Sequence, residues 1–194
     1  LAVYRNRGDG TFSPQTIPIH LSDVSACAAD DFDNDGWLDL AVASSDRLLL
    51  LRSLGPPGWV FEDVTGEAAT AAGMAPALAF FDYDNDGRLD LYLASFHEIE
   101  GPADLRNSRC ERAPDDLRCY TDFRVQPRPP TLLRNLDGRT FVSAPVLPPE
   151  GFHNNAVHAI DWDEDGFTDV FETNDFGPNR LLRNEGGRRF VDVL

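Results

Sequence analysis

The chain has 194 residues and a formal net charge of −16, from 33 acids against 17 bases, and every base is an arginine because lysine is absent. Its length and 42% hydrophobic content suffice for one domain with a real core. The charge excludes nucleic-acid binding, which needs a basic footprint, and no stretch approaches the ~20 apolar residues of a membrane-spanning helix. No signal-peptide pattern stands at the N-terminus.

The first element is the phrase Leu1-Ala-Val-Tyr-Arg-Asn6-Arg-Gly-Asp-Gly-Thr-Phe12, a strand, a glycine-rich turn and a second strand opening on Phe. Glycine beside Asp between two apolar runs is a strong hairpin signal. Arg7-Gly8-Asp9 spells an integrin-binding tripeptide, but turn chemistry alone accounts for it. An apolar stretch holding Cys27 follows, and Cys27 reads as a small buried core residue.

Then comes Asp31-Phe-Asp33-Asn-Asp35-Gly36-Trp37-Leu-Asp39, running directly into the strand Leu40-Ala-Val-Ala. The same nine-residue pattern, D-x-D-x-D-G-x-x-D, returns as Asp82-Tyr-Asp84-Asn-Asp86-Gly87-Arg88-Leu-Asp90 and as Asp161-Trp-Asp163-Glu-Asp165-Gly166-Phe167-Thr-Asp169. Four carboxylates in nine residues repel one another unless a hard cation with oxygen ligands sits among them. Calcium fits: it takes six to eight oxygens in tolerant geometry, whereas magnesium demands a near-ideal octahedron. The loops contain no nitrogen or sulfur ligand, which disfavours zinc and softer metals. The expected ligands are the carboxylates of positions 1, 3, 5 and 9 and the backbone carbonyl of position 7. These are Asp31, Asp33, Asp35, Trp37 and Asp39; Asp82, Asp84, Asp86, Arg88 and Asp90; and Asp161, Asp163, Asp165, Phe167 and Asp169. Three Ca2+ sites follow.

Two other readings fail. A single acidic turn needs no metal, but three copies in phase with one apolar continuation are not coincidence. An EF-hand places Glu at position 12 between helices; here that position is Val42, Leu93 and Glu172, and the flanks lack helical spacing.

The hairpin phrase recurs after each loop. It is degraded at Leu50-Leu-Arg-Ser-Leu-Gly55 through Phe61, where Pro56-Pro57-Gly58 puts the turn in doubt. It is clean at Leu132-Leu-Arg-Asn135-Leu-Asp-Gly-Arg-Thr-Phe141 and at Leu181-Leu-Arg-Asn184-Glu-Gly-Gly-Arg-Arg-Phe190. One unit is therefore an apolar strand into the loop, a second strand out of it, and a hairpin. Four antiparallel strands at a period near fifty residues make a β-propeller blade. Asp31 and Asp82 are 51 residues apart and Asp82 and Asp161 are 79 apart, the excess being an insertion at 96–130 between second and third strands. The expected fold is all-β, about three and a half blades of a larger ring and a probable fragment. The divisions are a half blade at 1–20, a blade at 21–66, a blade with the insertion at 67–148, and a blade at 149–194.

The insertion holds Cys110 and Cys119, close enough for a local disulfide, or else two free thiols; a disulfide belongs outside the reducing cytosol. His97, Glu98 and Glu100 open it without a metal-site spacing. His153, Asn154, Asn155 and His158 lie on or before the first strand of the last blade, where a structural role outweighs a channel contact. No nucleophile elbow, zinc-protease or phosphate-loop motif occurs.

The loops joined to Leu-x-Arg-Asn-x-Gly-x-x-x-Phe resemble the FG-GAP/VCBS repeats of integrin-α-type propellers. Thr173-Asn-Asp-Phe-Gly-Pro-Asn-Arg-Leu-Leu-Arg-Asn184 is similar to the bacterial ASPIC/UnbV group, related to cartilage acidic protein. The resemblance implies a calcium-bound propeller, secreted, periplasmic or at the cell surface. It would bind a protein or glycan ligand and pack on the rest of the propeller, without membrane insertion. The competing expectation is a lyase or hydrolase with its site in the channel or under the insertion.

Overall fold

The computed structural model describes residues 2–44, 47–66, 75–94, 128–174 and 177–194 with their side chains, and the backbone of 109–113 and 116–120. The described residues are all-β. A leading hairpin pairs β1 (Ala2–Asn6) with β2 (Phe12–Thr16). Sheet 1 follows as β3 (Val24–Asp30), β4 (Asp39–Ser44), β5 (Leu48–Ser53) and β6 (Phe61–Asp63), each antiparallel to the next. Sheet 2 holds β7 (Leu78–Phe81), β8 (Asp90–Leu93), β11 (Thr131–Asn135) and β12 (Phe141–Ser143) in that spatial order. Sheet 3 is β13 (Asn154–Ile160), β14 (Asp169–Asn174), β15 (Arg180–Asn184) and β16 (Phe190–Asp192).

Each nine-residue loop joins the first two strands of its sheet, and each Leu-x-Arg phrase forms the third. The sheets succeed one another face to face, with β3 against β7 and β7 against β13. This stacking explains the unbroken apolar run Leu48–Leu51. A strand alternates its side chains between two faces, and here both faces are covered. Leu48 and Leu50 enter the core shared with sheet 2, beside Phe32, Leu91, Leu133 and Phe141. Leu49 and Leu51 enter the core shared with the leading hairpin, beside Val3 and Ile17. A third core, between sheets 2 and 3, gathers Tyr83, Tyr92, Leu132, Val170, Leu182 and Phe190.

Cys27 corrects one expectation, because it is exposed and not buried. It lies opposite Val42 and so shares that residue's face of sheet 1. The leading hairpin covers this face over β4 and β5 through Val3 and Ile17, and the cover does not extend to Cys27. Apolar surroundings in sequence do not guarantee a lid in space.

The proline-containing turn after β5 still closes a hairpin. Leu54 N–H donates to Val60 O at 2.8 Å and Trp59 N–H to Gly55 O at 2.9 Å. The longer turn packs on the leading hairpin, with the Arg5 guanidinium 4.7 Å from the Trp59 ring centroid and Gln15 Nε2 donating to Gly58 O at 3.2 Å. The insertion contains a strand pair that the sequence did not announce, β9 (Arg109–Ala113) with β10 (Asp116–Tyr120). Its register sets Cys110 opposite Cys119. Whether those thiols are joined concerns side chains outside the described set, as do His97, Glu98 and Glu100.

Candidate metal centres

All three loops fold alike, for a local reason. The carboxylate of position 1 turns back to accept the amides of positions 5 and 6. Asp31 takes Asp35 N–H at 3.0 Å and Gly36 N–H at 2.8 Å; Asp82 takes Asp86 and Gly87 at 3.1 and 2.8 Å; Asp161 takes Asp165 and Gly166 at 3.1 and 3.0 Å. Gly36, Gly87 and Gly166 hold φ near +90° (91°, 86° and 88°), where a side chain is strained. Position 4 is also left-handed, with φ of 60° at Asn34, 56° at Asn85 and 60° at Glu164. At position 7 the amides of Trp37, Arg88 and Phe167 donate to the position-5 carboxylates at 2.9, 3.1 and 2.9 Å.

Position 9 is a buried staple. Asp39 accepts Phe32 N–H at 3.1 Å and Ser53 N–H at 2.7 Å, one on each oxygen. Asp90 does the same with Tyr83 and Asn135 at 3.1 and 2.8 Å, and Asp169 with Trp162 and Asn184 at 2.9 and 2.7 Å. Each carboxylate thereby ties its loop to the third strand of its own sheet. Removal from water pushes the pKa of Asp39 up to about 6 and that of Asp90 up to about 7, against the pull of the two amides.

The loops bring carboxylates together in threes: Asp31, Asp33 and Asp39; Asp82, Asp84 and Asp86; Asp161, Asp163 and Asp169. Within each set one oxygen per residue lies within 4.8 Å of the others. Of the remaining expected ligands, Asp35 turns to Arg52, at 3.0 Å from Nη2, while Asp90 and Asp165 hold the amides just described. The donor sets are all oxygen, as a hard cation requires. Asp84 adds an independent sign of fit, since its Oδ1 is buried without a hydrogen-bond partner and its pKa is raised by burial and then by Asp86. An orphaned buried carboxylate oxygen is costly unless a cation takes it.

Several residues of the site were not foreseen. Arg52 pairs with Asp33 and Asp35, and Arg134 sits 2.7 Å from Asp84 and 3.1 Å from Asp86. Both are the arginine of the hairpin phrase. Consecutive units are also pinned together. Asn135 Nδ2 donates to Phe32 O at 2.7 Å and Asn184 Nδ2 to Tyr83 O at 2.8 Å. Asn34 Nδ2 reaches Gly87 O at 3.1 Å and Asn85 Nδ2 reaches Gly166 O at 2.9 Å. Gly138 and Gly187 approach the preceding loop so closely that an added Cβ would stand 2.6 Å from Asp33 Cβ and 2.9 Å from Asp84 Cβ. The only sequence signal was the fixed place of Arg, Asn and Gly in the recurring phrase.

Outside the loops, the Arg7–Asp9 tripeptide is ordinary turn chemistry: Asp9 accepts Thr11 N–H at 2.9 Å and Thr11 Oγ1 at 2.6 Å. Asn154 is buried and donates to Asn174 Oδ1 at 2.7 Å, whereas His158 is exposed. A separate polar group links sheets 2 and 3, where Tyr92 Oη donates to Glu172 Oε1 at 2.5 Å and Arg180 Nη1 stands 3.6 Å from Glu172 Oε2. All three side chains are buried, and burial raises the pKa of both Tyr92 and Glu172.

Residues 31–93, from the first aspartate of loop 1 to the end of β8, match the FG-GAP-like repeat family. No curated protein matches the chain.

Proposed function

We propose that this chain is a calcium-stabilised β-propeller-type module that binds a protein or a glycan outside the cytoplasm. The observation that carries the metal reading is the threefold recurrence of a cluster of three carboxylates, one in each loop, sharpened by the orphaned Asp84 Oδ1. Bound calcium supplies positive charge where carboxylates crowd. Asp31, Asp33 and Asp39, Asp82, Asp84 and Asp86, and Asp161, Asp163 and Asp169 would hold it, while the position-9 aspartates keep loop and hairpin strand in register. The repeat of four-stranded antiparallel sheets and the FG-GAP-like match support the propeller. The 173–184 phrase supports kinship with the ASPIC/UnbV group, and with it a secreted, periplasmic or surface location.

Among the described residues, an enzyme on the same scaffold would draw on Tyr92, Glu172 and Arg180, a titratable cluster away from the loops. Those groups are sealed between two sheets and occupied with one another, which favours a structural link over catalysis. The binding reading is therefore preferred.

Calorimetric melting in excess calcium and in excess chelator tests the proposal. A ligand bound only by the native state contributes about 2.7 kcal/mol per site at a hundredfold excess over its Kd. Melting should therefore shift upward by many degrees in calcium and much less in magnesium. Identical curves in calcium and chelator would remove the metal from the account.

A further inference from the structure

We infer, on the calcium reading above, that the three metal centres fill cooperatively, coupled by a buried chain of hydrogen bonds that runs from loop to loop across both sheet junctions. Asp39 Oδ2 accepts Phe32 N–H at 3.1 Å, and Phe32 O accepts Asn135 Nδ2 at 2.7 Å. Asn135 N–H donates to Asp90 Oδ1 at 2.8 Å, and Asp90 Oδ2 accepts Tyr83 N–H at 3.1 Å. Tyr83 O accepts Asn184 Nδ2 at 2.8 Å, and Asn184 N–H donates to Asp169 Oδ1 at 2.7 Å. All seven residues are buried, so water does not stand in for a broken link.

Asn135 and Asn184 are placed as connectors. Besides reaching back, Asn135 Nδ2 donates to Leu89 O at 3.0 Å and Asn184 Nδ2 to Thr168 O at 3.1 Å. Their Oδ1 atoms accept Gly138 and Gly187 N–H at 2.7 and 2.8 Å, which fixes each amide plane. Each amide thus grips position 8 of its own loop and position 2 of the preceding one. Both peptide groups sit next to expected ligands: position 2 lies between the carboxylates of positions 1 and 3, and position 8 adjoins position 9. A parallel link runs over the surface, from Asn34 Nδ2 to Gly87 O at 3.1 Å and from Asn85 Nδ2 to Gly166 O at 2.9 Å. It joins position 4, between two ligand positions, to position 6 of the next loop.

Each loop has two states to couple. Unscreened, its carboxylates repel one another and loosen the turn; with a cation among them the turn closes. A closed loop holds the carbonyl that the neighbouring asparagine needs, so the neighbour surrenders less freedom when it closes in turn. The coupling is reciprocal, each loop gaining the factor that it gives. Charge alone has the opposite sign, because cations bound in adjacent loops repel one another.

Isothermal titration of the 194-residue chain with calcium measures the coupling. Asp163→Ala disables loop 3, and the two intact loops should then bind calcium about fivefold more weakly than in the wild-type chain. Asn184→Ala cuts the buried link between loops 2 and 3, and adding Asp163→Ala to it should weaken the other loops no further. Asn85→Ala, on the exposed link of the same junction, is the variant to use where Asn184→Ala does not fold, and it should shrink the penalty. Unchanged or tighter binding at the intact loops of Asp163→Ala would overturn the inference and leave the calcium reading standing. So would a penalty that stays whole in the asparagine variants that fold. A wild-type chain that takes up no calcium would remove the reading itself, and the coupling with it.

Discussion

Loops 1 and 2 each meet the hairpin of the following sheet, through Asn135 and Asn184, and among the described residues no hairpin meets loop 3 in this way. Phe32 and Tyr83 are buried where Trp162 is exposed, and residues 161–166 are exposed throughout. Arg52 and Arg134 reach the acids of loops 1 and 2, while the equivalent Arg183 pairs with Glu185 at 2.9 Å. Asn34 and Asn85 each donate to the next loop; position 4 of loop 3 is Glu164, whose carboxylate has no N–H to give. Nine nearly identical letters thus produce one backbone and two electrostatic settings. The turn is local chemistry, but its charge balance belongs to the neighbours.

The largest expected effect separates the staple from the loop surface. Asp90→Ala strands the amides of Tyr83 and Asn135 inside the protein. At about 1–3 kcal/mol per unsatisfied buried donor, it should lower the melting temperature by roughly 10 °C in chelator as in calcium. Asp163→Ala, at an exposed position, should leave the chelated melting curve within about 2 °C and act only on calcium binding. Differential scanning calorimetry of both variants measures the contrast; equal losses in chelator would erase the distinction between buried and open parts of the loops.

Next comes pH. Burial raises the pKa of Asp39 and Asp90 to about 6 and about 7 in the folded protein. The folded state thus binds protons that the unfolded state has released. This stabilisation is complete below the ordinary carboxylate range and is lost as pH rises through 6 to 7. In chelator, the melting temperature should climb as pH falls from 8 to about 5, before general acid effects intervene. In calcium the slope should flatten, because a bound cation's charge lowers the pKa of the aspartates beside it. Asp90→Asn, which cannot titrate, should remove the larger part of the chelated slope. A slope unchanged in that variant would place the titration elsewhere.

The smallest effect concerns the arginines. Arg134→Ala frees Asp84 and Asp86 from a competing cation. It should raise calcium affinity at loop 2 by about fivefold, the scale of a half-exposed ion pair. Arg183→Ala should leave loop 3 unchanged, because Arg183 faces Glu185. Isothermal titration calorimetry of the two variants decides the matter; equal gains would mean that the hairpin arginines act through general charge and not through contact.

Much of this was legible in the sequence because its causes are short-range. The Asp-x-Asp-x-Asp-Gly turn closes on its own amides, the apolar run after it must be a strand, and the Asn-x-x-Gly-x-x-Phe phrase must be a hairpin. The unit of four strands could be written down from these alone. What escaped depends on residues far apart in the chain. Asn135 and Phe32 are 103 residues apart, and no local pattern says that a hairpin amide will cap the carbonyl of an earlier loop. Cys27 escaped for the complementary reason, since a strand's polarity pattern does not reveal whether the next layer reaches over it. The β9–β10 pair escaped because its strands are five residues each, RCERA and DLRCY, too short and too polar to stand out within an insertion.

By itself, the sequence determined the repeat, the fold of each loop and the identity of the carboxylates that crowd there, because backbone geometry and side-chain spacing act within a few residues. Tertiary structure alone decided which loops are sealed, which arginine neutralises which acid and which faces remain open. Those outcomes follow from the order in which the sheets stack, and stacking is a property of surfaces that no single segment possesses.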